Sequence, residues 1–347
     1  MPPALPRSPS ATSISPGGPI LAFFWDLASI DEEKRLAASE SLLDALQEAQ
    51  QTHEEKTPGE ACVELVYTVR RLVRGLASPR DGARQGFGAA LIEVLCVFER
   101  QVTVESVLEL MNNSMQLQGS MKGPEERDVL FGRVFTCAAI VRSHRLERLP
   151  AARRAALAPQ VCAELLACAA KKSFLQEVAA ATLCDALRQL PAAELHDGVC
   201  APLAAQLARP LAEWSPATLL IALTLSAKLP PPAAARLLPH ARLRAGRLLH
   251  AAQLPALLPA LKGASCAHPR LHVVWDAILD DLVGGGAADG GDGGAAAEAA
   301  EADEAPQRAG KKKKKGKAAA AVPNGVADHG GGDGGGANGT SDGDPQL

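Results

Sequence analysis

Between Ile20 and Val283, apolar positions recur every three to four residues with polar positions between them, which is the helical period. Cys62, Leu65, Val66, Val69, Leu72, Val73 and Leu76 form one such stripe, and Phe87, Leu91, Val94, Leu95 and Phe98 form the next. Val104, Val107, Leu108, Met111 and Met115 make a third, and Leu36, Leu42, Leu43 and Leu46 an earlier one. Leu130, Phe131, Val134 and Val141 predict a further helix, and Ala/Leu-rich stretches predict helices over 152–171, 174–190 and 192–208. Leu219, Leu220, Leu223 and Leu225 mark another. Leu271, Val274, Trp275, Ile278, Leu279 and Leu282 mark the last, with two shorter segments before it.

Helix signals punctuate these stripes. Ser29 followed by Glu32 reads as a capping box, in which serine and glutamate each satisfy a free amide of the first turn. Ser78-Pro79 and Ser215-Pro216 read as a cap followed by proline at the first helical position, and Thr103 as a third cap. Pro124 is expected to open a helix that Pro150 ends, and His268-Pro269 to open the final one. Pro230-Pro231-Pro232 stops a helix, because proline offers no amide hydrogen and its ring clashes with the preceding turn. About a dozen helices of roughly 12–20 residues with short connections resemble paired-helix repeats. The expected fold is all-α, an armadillo/HEAT-like α-solenoid; no clean sequence repeat is visible, and a closed irregular bundle is the alternative.

Composition narrows this further. Aromatic residues make up 3% of the chain, with a single tyrosine, which disfavours sheets and suits helices packed through small residues. Residues 1–19 are Pro/Ser-rich and residues 284–347 are Gly/Ala/Asp-rich with a lysine block. Neither end carries enough apolar surface to offset chain entropy, so both are expected to be disordered around a helical repeat domain over 20–283. The formal net charge of −3 provides no global field for nucleic acid or membrane, and no apolar run reaches spanning length, so no membrane partner is expected. The eight cysteines include no Cys-x-x-Cys pair, and no N-terminal apolar run of signal-peptide type occurs. They are therefore expected to be reduced, mostly buried thiols of an intracellular protein.

The sequence contains no phosphate-binding Gly-rich loop with Lys-Ser/Thr, no Gly-x-Ser-x-Gly elbow and no His-Glu-x-x-His. No catalytic residue, cofactor or metal is expected. Asp280-Asp281 reads as a solvated pair at a helix end rather than a two-metal site. His268 and His272 have the spacing of zinc ligands but no third partner, which favours a cap and a packing residue. Leu254-Pro255-Ala256-Leu257-Leu258 matches a Leu-x-x-Leu-Leu docking box, yet such leucines usually belong to a core. Arg70, Arg71 and Arg74 point away from the apolar stripe with Tyr67 among them, and Arg80 and Arg84 follow. Arg70, Arg71, Arg74 and Arg84 are candidates for contacting phosphates beside an aromatic ring that can stack a base. A solvated face shared with Glu64 and Asp81 is the simpler reading. Lys311, Lys312, Lys313, Lys314, Lys315 and Lys317 form a nuclear-localisation candidate suited to importin, partly masked by the acidic residues at 289–304.

Several blocks in order resemble one family. Phe23-Phe24-Trp25-Asp26-Leu27-Ala28 is similar to its opening signature, and Arg70-Arg71-Leu72-Val73-Arg74-Gly75-Leu76-Ala77-Ser78 to its next segment, followed by Ala83-Arg84-Gln85-Gly86-Phe87. Val102-Thr103-Val104-Glu105, the block from Glu126 to Phe135 with Val141-Arg142-Ser143, and the stretch from Ser265 to Asp276 continue the match. These resemble the Myb-binding protein 1A family, whose yeast member is called DNA polymerase V or phi. The resemblance implies a nuclear or nucleolar α-helical protein of ribosomal-DNA transcription and ribosome biogenesis. It further implies partners among transcription or ribosome-biogenesis proteins, and rDNA or rRNA as a direct ligand in the alternative. Despite the polymerase name, the spaced aspartates of two-metal nucleotidyl transfer are missing, so an enzyme is not expected. Family members continue beyond the length of this chain, so the resemblance implies that it corresponds to their N-terminal portion.

Overall fold

The computed structural model describes residues 20–195, 199–265 and 272–283. The expectations for 1–19 and 284–347, and for Cys266 and His268, lie outside the described residues. Fourteen α-helices and no β-strand occur among the described residues, so the all-α expectation holds. They are α1 (Ile20–Leu27), α2 (Glu32–Glu54), α3 (Val63–Gly75), α4 (Asp81–Val97), α5 (Val104–Ser114), α6 (Gly123–Arg142) and α7 (Arg145–Arg148). Then come α8 (Ala151–Lys171), α9 (Gln176–Gln189), α10 (Ala201–Leu207), α11 (Pro216–Lys228), α12 (Pro231–Leu237), α13 (Leu254–Ser265) and α14 (His272–Val283).

Their order of packing follows the chain. α2, α4, α6, α9, α11 and α14 each pack on the next, while α3 packs on α4 and α5, and α8 on α9 and α10. Substantial helix–helix contacts reach at most three helices along, which is how a solenoid-like stack buries its core between neighbours. One continuous hydrophobic core results, from Ile20 and Phe24 through Leu72, Leu91, Val134, Leu165 and Leu187 to Leu220 and Ile278. Cys62, Cys137, Cys162, Cys168, Cys184 and Cys200 are buried in it as free thiols, and Cys96 is half-buried. Burial pushes Cys162, Cys168 and Cys200 up to about 12, the pKa of an inert packing thiol rather than a reactive one.

Thr103 and Ser215 cap α5 and α11 as expected, accepting from the amides of Ser106 and Thr218 at 3.2 and 3.1 Å. Two other expected caps are displaced. Asp31, not Ser29, caps α2 by accepting from the Glu33 amide at 3.0 Å, and Ser29 Oγ instead accepts from the Asp31 amide. The Arg35 guanidinium donates to the carbonyls of Ser29 and Ile30, which holds those residues in a turn ahead of the helix. Ser78 likewise stabilises a turn, accepting from the Arg80 amide, and α4 begins only at Asp81. Pro150 does not end α6, which stops at Arg142; it is the N-cap of α8. The helix expected over 192–208 is a 3₁₀ turn at Ala192–Glu194 and the short α10, because Pro202 can only occupy a first turn.

The ion pair between Arg133 on α6 and Glu164 on α8 staples two adjacent layers, with Arg133 Nη2 donating to Glu164 Oε2 at 2.8 Å. Burial pushes the Glu164 carboxyl up, but the hydrogen bonds and charge of Arg133 outweigh it and leave the pKa below the ordinary 4.5. A carboxyl lowered in the folded state contributes stability that is complete above the unfolded value and is lost as pH falls through the folded one. Glu164→Gln is therefore expected to cost about 1–3 kcal/mol near neutrality and to flatten the loss of stability on acidification. Urea midpoints measured from neutral pH downward check this; parallel curves for the two proteins would contradict it.

Candidate nucleic-acid interface

A groove of about 680 Å³ runs between α1 and α3 and along the turn into α4. The inward residues of α3, Leu65, Val69, Leu72 and Val73, are buried, which turns Arg70, Arg71 and Arg74 outward on the opposite face. On α1, Ile20, Phe24 and Leu27 are buried at helical spacing, so Trp25 falls outside the stripe and is 75% exposed. Phe24 and Phe87 form the floor with rings 6.5 Å apart, and Tyr67 meets Phe24 edge-on at 6.0 Å. Gly75 faces this floor because any Cβ there would overlap the Phe87 ring.

The charges in the groove have one sign. Arg70, Arg71, Arg74 and Arg80 line it, and among the described residues no aspartate or glutamate does. Arg71 lies 4.9 Å above the Phe24 ring and donates to the Tyr67 hydroxyl at 3.3 Å, so its guanidinium is positioned by aromatic faces. Among the described residues none of these four arginines forms an ion pair. By contrast, Arg84, Arg133, Arg153 and Arg154 pair with Asp81, Glu164, Glu105 and Glu194 respectively.

Three of the four candidate arginines therefore come together, and Arg84 does not join them. Its guanidinium points into a separate groove between α2, α4 and α6, 4.8 Å over the Phe131 ring. It donates to the Ser78 carbonyl at 2.6 Å, pairs with Asp81, and has Asp128 nearby. Burial holds its pKa below the ordinary arginine value, against the attraction of Asp128. Arg80, which the sequence places beside the cluster but outside the candidate set, joins the groove. So does Trp25, which the arginine pattern does not include although the spacing of Ile20, Phe24 and Leu27 leaves it on the outer face of α1.

The remaining motifs have structural roles or lie elsewhere. Asp281 is not merely solvated: its carboxylate accepts from the amides of Leu248 and Leu249 at 3.3 and 2.8 Å, anchoring that loop to α14. In the Leu-x-x-Leu-Leu stretch Leu257 is buried and Leu254 half-buried, as core residues are, while Leu258 is exposed. Lys311, Lys312, Lys313, Lys314, Lys315 and Lys317 lie outside the described residues. Among the described residues no three His, Cys, Asp or Glu side chains converge to hold a metal ion. No described helix is long and apolar enough to cross a membrane.

Stacked helices with a cationic, aromatic-floored groove make this an all-α, solenoid-like protein by architecture. The family model described as DNA polymerase phi matches residues 67–322, and the chain belongs to that family, in agreement with the resemblance seen in its motifs. The Myb-binding protein 1A-like protein of Danio rerio is 35% identical over 130 residues, 38% of this chain and 9% of that protein. The rDNA transcriptional regulator pol5 of Schizosaccharomyces pombe is 32% identical over 175 residues, 49% of this chain and 16% of the relative. Myb-binding protein 1A of Homo sapiens is 31% identical over 156 residues, 42% and 11% of the two chains. The chain thus spans a small fraction of the length of these curated relatives. No solved structure matches it.

Proposed function

We propose that this protein is a non-catalytic nuclear, nucleolar scaffold that regulates rDNA transcription and ribosome biogenesis. Its family membership carries the reading, because relatives over this region are named rDNA transcriptional regulators and Myb-binding proteins. Stacked helices expose long faces suited to proteins of the transcription or ribosome-biogenesis machinery, with importin taking the lysine block from Lys311 to Lys317. The relatives are named for regulation or for binding, which supports a role without nucleotidyl transfer despite the name of the family. In cells that make the protein, its depletion is expected to change nascent pre-rRNA synthesis, and the tagged protein to occupy rDNA. A version with Lys311–Lys315 replaced by alanine is expected to stay outside the nucleolus and fail to restore synthesis. Unchanged synthesis together with no rDNA occupancy would contradict the proposal.

A second reading is direct contact with rDNA or rRNA, favoured by Arg70, Arg71 and Arg74, which line one groove and form no ion pair among the described residues. Arg80 takes the place of Arg84 in that set, since the Arg84 guanidinium is engaged by Asp81 and the Ser78 carbonyl.

A further inference from the structure

We propose that the groove between α1 and α3 is a site for single-stranded nucleic acid, with a base stacked on Trp25 and phosphates along Arg70, Arg74 and Arg80. This rests on the second reading above and specifies its ligand. Three observations combine. Firstly, the groove concentrates four arginines with no lining carboxylate among the described residues, so its charge is available to an anion rather than engaged within the fold. The groove lined by Arg188, Lys228, Arg244 and Arg247 shows the opposite design, since Asp276, Asp280 and Asp281 line it too.

Secondly, the Trp25 indole is 75% exposed at the edge of this charge, whereas Trp214 is 3% exposed within the core. An exposed indole beside guanidinium groups is a stacking platform, and every base has a face to offer it. In a duplex those faces are covered by neighbouring bases, so the platform is useful only to an unstacked strand. Thirdly, Arg70 and Arg74 stand one turn apart on α3, about 6 Å along the axis, and Arg80 lines the same groove from the turn past the end of that helix. This spreads positive charge over several positions of the groove rather than at a point, as a chain of phosphates requires. Arg71 is held over Phe24 and by Tyr67, so it shapes the wall of the groove beside them.

The test measures binding of the full chain to a short labelled oligouridylate, the matching oligothymidylate and a duplex, across a range of salt. Trp25→Ala is expected to weaken both single strands at least about fivefold and leave duplex binding unchanged, with Trp25→Phe retaining most of the affinity. The indole lies outside the core, so the thermal melt of Trp25→Ala should match that of the parent protein. Combined Arg70→Ala, Arg74→Ala and Arg80→Ala is expected to reduce the salt slope by about two units. A preference for the RNA or the DNA strand identifies the source, and either supports the site. If the triple variant loses slope while Trp25→Ala binds normally, stacking is overturned and the phosphate reading stands. If neither variant changes binding, both are overturned. Displacement of the strand by polyglutamate at equal concentration, with Trp25→Ala again without effect, would make the groove an acidic-peptide site and overturn the proposal.

Discussion

Replacing Arg145 with methionine is expected to destabilise the protein by about 3–5 kcal/mol, read from urea or thermal unfolding. Arg145 is 3% exposed, and both of its terminal nitrogens are hydrogen-bonded, while Nε is buried without a hydrogen-bond partner. Nη1 donates to the Leu95 carbonyl at 2.7 Å, and Nη2 to the carbonyls of Glu99 and Val102 at 2.9 and 2.8 Å. These three oxygens belong to the end of α4 and the turn into α5, where no following helical turn supplies amides. One guanidinium therefore closes the end of α4 from a distant part of the chain, with the Glu99 carboxylate 3.8 Å from Nε. Burial lowers the pKa of Arg145 and the nearby Glu99 charge opposes it. Methionine would fill the space and leave the carbonyls unsatisfied. Lysine is expected to fall between the two, since an ammonium cannot span the three acceptors in one plane. A loss below about 1 kcal/mol for methionine would mean that water replaces the guanidinium at those carbonyls.

Gly86→Ala is expected to cost about 2–3 kcal/mol, although alanine favours a helix more than glycine does. Gly86 lies on α4 against α1, and a Cβ there would overlap the Leu27 carbonyl and come within 3.0 Å of Arg35 Cδ. Backbone cannot swing aside as a side chain can, so α1 must move away from α4. Because α1 carries Phe24 and Trp25, the same variant is expected to loosen the groove and weaken oligonucleotide binding. Gly88, two residues further on and so on nearly the opposite face of α4, is the control. Its added Cβ would meet only Leu76 Cδ2 at 3.7 Å, an ordinary contact, so Gly88→Ala should be neutral or stabilising by about 0.5–1 kcal/mol. Equal effects at the two positions in parallel denaturation curves would refute the close approach of α1 and α4.

What could be read from sequence depended on how each helix is buried. α3 and α5 bury one face, so their stripes of Val, Leu and Met stand out at helical spacing. α11 is buried along Thr218 to Ser226 and α6 along Thr136 to Val141, so these helices have little polar face to contrast with an apolar one. Their starts, Ser215-Pro216 and Pro124, identified them instead. Ser29 and Ser78 read as caps in the sequence because a serine that braces a turn and a serine that caps a helix share one local pattern. Only the engagement of the Ser29 and Ser78 carbonyls by Arg35 and Arg84 separates the two cases.

The groove was half legible for a similar reason. Arg70, Arg71 and Arg74 follow from the face of a single helix, which spacing reveals. Trp25 and Arg80 reach the same groove from α1 and from the turn before α4, and only tertiary packing brings them there. Arg84 was grouped with its sequence neighbours, but Phe131 and Asp128 on α6 define its surroundings.

Ultraviolet crosslinking of the full chain to a bound single strand, followed by mass spectrometry of the peptides, tests the central claim most directly. Nucleotide adducts on the peptides containing Trp25 and Tyr67 are the predicted result. Adducts confined to the lysine block, or to helices remote from α1 and α3, would contradict it.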